Sequence, residues 1–135
     1  MASKYIVDTH ALIWYLESNP RLGSAARVIL SDPVSNLVFP LIALAEAVDV
    51  VGKKRTKIAS VSILLNRVLN DSRISLHALD LDTLQTSLQA GAVPEMHDRL
   101  IVATGLWLQQ QGGTVAILTC DVSITRAALL PVIWD

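Results

Sequence analysis

The sequence is short of three things that would each set a direction: paired cysteines, an excess of one charge sign, and an apolar run long enough for a bilayer. Its single cysteine, Cys120, makes no internal disulfide, which excludes an oxidised, disulfide-stapled scaffold. Lys and Arg number 11 against 12 Asp and Glu, a formal net charge of -1. No global basic field therefore holds nucleic acid without selectivity, and any such site has to be local. The longest apolar stretch, Leu37 to Val51, is interrupted by Glu46 and Asp49 and falls short of the roughly 20 residues that a spanning helix needs. Met1-Ala2-Ser3-Lys4 leads into only three apolar residues rather than a secretory core, so a reducing cytoplasm is the expected location. A Walker loop and a glycine-rich dinucleotide turn are also missing.

What is present is apolar material. Of 135 residues, 52% are hydrophobic and 17% charged, which places the chain among folded globules, at a length that suits one domain. Such richness also leaves nonpolar surface for a partner to cover. Tyr5-Ile6-Val7 reads as a strand, followed by a helix that Thr9 can cap, with Leu12, Ile13 and Leu16 at helical spacing. Ser24 can cap a short second helix through Leu30. Leu37-Val38-Phe39 reads as a buried strand, and Pro40 suits the first turn of a helix running to Val51, ended by Gly52. Further elements are a helix over Lys57 to Asn70, a strand at Ile74-Ser75-Leu76, helices over Asp80 to Ala90 and Asp98 to Gln111, a strong strand Val115 to Leu118, a short helix at Thr125 to Leu129 and a last strand at Val132-Ile133. This β-α-β-α order implies an α/β fold, three layers with a mostly parallel twisted sheet between helices.

In open parallel sheets, sites form beyond the carboxyl ends of the strands. Asp8 and Asp121 each follow an apolar strand almost directly, so carboxylates from opposite ends of the sequence can face one crevice. Each also has a plainer reading, because Asp is favoured at helix starts and in turns. Glu46 lies among Ile42, Ala43, Leu44, Ala45, Ala47 and Val48, and a buried acid needs a partner; alternatively Glu46, Asp49 and Lys53 form one solvated stripe. Asp98 falls in a first helical turn, where the helix dipole favours it. Two carboxylates about 4 Å apart repel by about 4 kcal/mol at an effective dielectric near 20 unless a proton or cation intervenes. All-oxygen donors favour Mg²⁺ or Mn²⁺ over zinc, for which no His/Cys spacing is present.

At these acids the sequence resembles the PIN-domain nucleases, and among them the VapC-type toxins of toxin–antitoxin pairs. The resemblance runs nearly end to end through Val7-Asp8-Thr9-His10-Ala11-Leu12, Leu44-Ala45-Glu46, the segment from His97 to Thr104, and Leu118-Thr119-Cys120-Asp121 with Pro131-Val132-Ile133-Trp134. It implies that Asp8, Glu46, Asp98 and Asp121 are the metal-binding catalytic acids, with Thr119 a hydroxyl near the centre. It also implies RNA as substrate, Mg²⁺ or Mn²⁺ as cofactor, a cognate antitoxin and a homodimer as partners. Phe39-Pro40-Leu41 departs from the serine or threonine many relatives carry there. A PIN-like interaction subunit without activity is the alternative, against which the full set of four acids speaks.

Other residues have ordinary readings. Lys53, Lys54, Arg55 and Lys57 form a basic run that reads as a solvated loop ahead of the alternative, a contact for RNA phosphates or an acidic antitoxin segment. Arg99 either approaches a phosphate or pairs with a carboxylate. Cys120 reads as a small buried thiol, and Trp14, Tyr15 and Trp107 as packing rather than base-stacking platforms. A dehalogenase-type phosphotransfer site would need a second Asp two residues after Asp8, where His10 stands.

Overall fold

Five strands, β1 (Lys4–Val7), β2 (Leu37–Pro40), β3 (Ile74–His77), β4 (Val115–Leu118) and β5 (Val132–Ile133), pair in parallel in the order β3-β2-β1-β4-β5. They form the sheet of a computed structural model that describes residues 2–135. β2 and β4 are buried at every position, the continuous apolar pattern of parallel strands covered on both faces. The edge strands β3 and β5 are partly exposed. Register places Val7 beside Leu118, so the residues after β1 and β4 leave the sheet together.

Among the described residues seven α-helices surround the sheet: α1 (Thr9–Leu16), α2 (Ser24–Ser31), α3 (Leu41–Gly52), α4 (Val61–Leu69), α5 (Leu81–Ser87), α6 (Met96–Gln110) and α7 (Val122–Ala127). The chain steps from β1 to β2 to β3 in one direction, then crosses back beyond β1 to β4 and on to β5. Right-handed crossovers therefore put α1 to α4 on one face and α5 to α7 on the other, which gives the expected three layers. α6 lies close on β1 and β4: a Cβ added at Gly105 would stand 3.2 Å from Ile6 Cγ1 and 3.4 Å from Val115 Cγ1.

Several helix starts differ from the expectation, three of them because a neighbouring side chain caps better. Asp8, not Thr9, caps α1, and Asp121 caps α7, which begins at Val122 rather than Thr125. Ser60 caps α4 at Ile63 N, so that helix starts at Val61, while the Lys57 amide is taken by Glu17 Oε2 at 2.6 Å. Gly23 rather than Ser24 stands at the cap of α2. Pro40 closes β2 and sits at the cap position of α3 instead of in its first turn.

Gly23 has a packing reason. An added Cβ would fall on the Trp134 carbonyl and lie 2.8 Å from Trp134 Cδ1. Because the obstacle includes main chain, Gly23→Ala is expected to destabilise the fold by about 1–3 kcal/mol through overpacking. Urea unfolding should show a lower midpoint at unchanged slope; a loss under about 0.5 kcal/mol would show that the terminal segment yields freely.

Candidate metal centre

Strand order reverses between β1 and β4, and the crevice beyond their carboxyl ends is where an open α/β sheet binds ligands. Asp8 leaves β1 there, its amide donating to the Leu118 carbonyl at 3.2 Å. Asp121 leaves β4 three residues past Leu118. Glu46 arrives from the middle of α3 and Asp98 from the first turn of α6. All four acids line one cleft of about 310 Å³, together with Glu95 and Cys120.

Asp8 is 9% exposed and both of its oxygens are held. Oδ1 accepts from Thr9 N at 2.7 Å and Oδ2 from the Thr119 hydroxyl at 2.6 Å. That hydroxyl in turn accepts the Asp121 amide at 3.0 Å, and Asp121 Oδ1 accepts from Ile124 N at 2.9 Å. The capping and cleft readings of these two residues are thus one fact: capping fixes the carboxylates that face the cleft. The proposed stripe on α3 divides. Lys53 pairs with exposed Asp49 at 2.9 Å, whereas half-buried Glu46 turns into the cleft. Its Oε1 is buried without a hydrogen-bond partner among the described residues.

Burial raises the Asp8 and Glu46 carboxyls above their usual range. Asp98 is pushed up to about 7 by desolvation and then by the charges of Asp121, Asp8, Glu95 and Glu46. Between the usual value of 3.8 and about 7 the folded chain therefore holds protons that the unfolded chain has released. Stability of the metal-free protein is expected to fall as pH rises through that window. His97, held up chiefly by its bond to Glu95, works in the same direction. Melts at about pH 5.5 and about pH 8 should show the metal-free protein several degrees less stable at the higher pH, with Mn²⁺ restoring it. A higher metal-free melting temperature at the alkaline end would contradict this.

The donor set fits a hard divalent cation: four carboxylates, a buried carboxylate oxygen without a partner among the described residues, and a carboxyl, Asp98, that desolvation and then its neighbours' negative charge hold up at about 7. Among the described residues no three acid, His or Cys side chains stand close enough to hold an ion as placed. Closing round one requires side-chain rotation.

Three expectations are corrected. Cys120 is exposed at the cleft rather than buried, because Thr119 takes the inward place; desolvation and the Asp8 and Asp121 charges raise its thiol, which is no nucleophile. Arg99 pairs with no carboxylate among the described residues; its guanidinium donates to the Val93 and Pro94 carbonyls at 3.1 and 2.7 Å. Lys57 lies in the loop before α4, not in a helix. Sequence reasoning passed over Glu95, which caps α6 by accepting Asp98 N at 2.8 Å and meets His97 Nδ1 at 2.6 Å. Its signal was an acid three residues before Asp98, directly after Pro94.

Several solved structures share this fold. VapBC2 from Rickettsia felis, described as bound to a DNA fragment from their promoter, is 18% identical over 98% of this chain and 99% of that one, with a TM-score of 0.69. FitAcB from Neisseria gonorrhoeae is 16% identical over 96% of each chain, TM-score 0.69. DNA-bound VapBC from Salmonella typhimurium is 15% identical over 96% of each, TM-score 0.67. No curated protein matches the sequence. The PIN domain model matches residues 5–130, nearly the whole length, and the chain belongs to that family.

Proposed function

We propose that this chain is a metal-dependent endoribonuclease and the toxin of a toxin–antitoxin pair. The observation that carries the reading is the gathering of Asp8, Glu46, Asp98 and Asp121 in one cleft at the point where strand order reverses. Asp8, Asp98 and Asp121 would hold Mg²⁺ or Mn²⁺, which when bound polarises the phosphoryl oxygens and makes water acidic enough to attack. Thr119 keeps Asp8 aimed by its hydroxyl. Glu46 lines the same cleft, and its raised carboxyl suits it to orient the attacking water and take its proton. As the new P–O bond forms, the bond to the leaving sugar oxygen breaks.

The partner reading draws on the family and on the solved complexes that share the fold. It is supported by an exposed apolar row at Leu81, Leu84 and Leu88, which are 66%, 51% and 82% accessible. A homodimer covering such surface, and an antitoxin encoded in the neighbouring reading frame, complete the proposal. Light scattering that returns a stable monomer removes the dimer. The test of the activity is RNA with Mg²⁺, with and without chelator: cleavage should require the metal, and cleavage indifferent to the chelator overturns the reading.

A further inference from the structure

α6 begins with a residue that ordinary helix capping does not explain. Short side chains, Ser, Thr, Asp and Asn, are favoured at the cap, yet Glu95 occupies it. Its longer arm does two things at once, Oε2 accepting the Asp98 amide at 2.8 Å and Oε1 meeting His97 Nδ1 at 2.6 Å. The consequence lies in Asp98. At α1 and α7 the cleft acid caps its own helix, so Asp8 and Asp121 each give an oxygen to a main-chain amide. At α6 the capping is done by a different residue. Among the described residues the Asp98 carboxylate accepts no hydrogen bond, and its main chain is pinned while its side chain stays available to the cleft.

We propose that Glu95 is a positioning residue for the metal centre: its carboxylate holds the Asp98 backbone and takes over capping of α6, leaving both Asp98 oxygens for ligand. His97 is the lesser arm, a half-exposed pair that steadies Glu95. This rests on the reading of the cleft as a metal site.

The test uses the full chain, Mn²⁺ alone as calorimetric probe, and thermal melts alongside RNA cleavage. Glu95→Gly removes the carboxylate while costing helix capping little, since glycine is itself a tolerated cap. It should melt near the native temperature yet bind Mn²⁺ about tenfold more weakly, the size of effect typical of outer-sphere partners, with kcat falling and KM for RNA little changed. Glu95→Ser restores an uncharged acceptor at the cap and should recover Mn²⁺ affinity to within about threefold of native. His97→Ala should weaken Mn²⁺ binding less than Glu95→Gly does, and a larger loss than Glu95→Gly would overturn the assignment of Glu95 as the principal arm. If Glu95→Gly binds Mn²⁺ like the native chain, Glu95 only ends a helix and the inference is wrong. If Glu95→Ser stays as weak as Glu95→Gly, charge rather than positioning is at work, and the inference is equally wrong. A native chain that neither binds Mn²⁺ nor cleaves RNA overturns the parent reading instead.

Discussion

Asp98→Asn is expected to lower metal-dependent RNA cleavage by about a thousandfold, roughly 4 kcal/mol of transition-state stabilisation, while making the metal-free protein more stable. Both effects have one cause. Asp98 sits where desolvation and four neighbouring negative charges oppose its ionisation, so at neutral pH the fold carries an unfavourable carboxylate. Asparagine keeps the shape and the amide that Glu95 accepts, but removes the charge. The melting temperature above pH about 7 should therefore rise, as is common where a site is built against stability. Opposite signs in the two assays exclude misfolding as the reason for lost activity. Unchanged cleavage would remove Asp98 from the reaction, and loss of both activity and stability would make its role architectural.

The parts of the fold that the sequence made legible were those where one physical signal dominates. Val115 to Leu118 and Val132-Ile133 were placed at their observed bounds, because short β-prone runs between turn residues leave few alternatives. Asp8 and Asp121 stood out because an acid directly after such a run must leave the sheet at its carboxyl edge. Helix starts were less legible, since several residues near each start can cap and only tertiary contacts choose among them. The Lys57 amide, bound to Glu17 forty residues away in sequence, is an example. Placing the start of α6 near Asp98 left Glu95 outside the helix, and a cap that lies outside the helix has no visible partner.

Glu46 marks a different limit. Its apolar neighbours pointed to burial, and the polar spacing with Asp49 and Lys53 pointed to solvent; the structure divides the residue, with one oxygen buried and the side chain half exposed. Periodicity assigns a face to a residue but not to an atom. A further hollow of about 360 Å³, lined by Ile42, Ala45, Asp49, Val50 and His97, meets the acid cleft at this same side chain. Glu46 is thus the wall between the two, on a helix that begins directly after buried β2.

Phe39→Ala is the second large effect expected, on stability rather than chemistry. Phe39 is fully buried on β2, beside Leu76 of β3 in register, and is the chain's only phenylalanine. Removing its ring loses the transfer free energy of the side chain and leaves a cavity between the sheet and the helices that cover it, a cost of about 3–5 kcal/mol. For a domain whose total stability is on the order of 5–15 kcal/mol this is a large fraction, and the urea midpoint should fall accordingly. Phe39→Leu, which refills much of the volume, should cost less than half as much. Because no cleft acid is altered, the folded fraction at low temperature should still bind Mn²⁺ close to native strength, the reverse of Asp98→Asn. A loss under about 1 kcal/mol for Phe39→Ala would mean that β2 repacks easily.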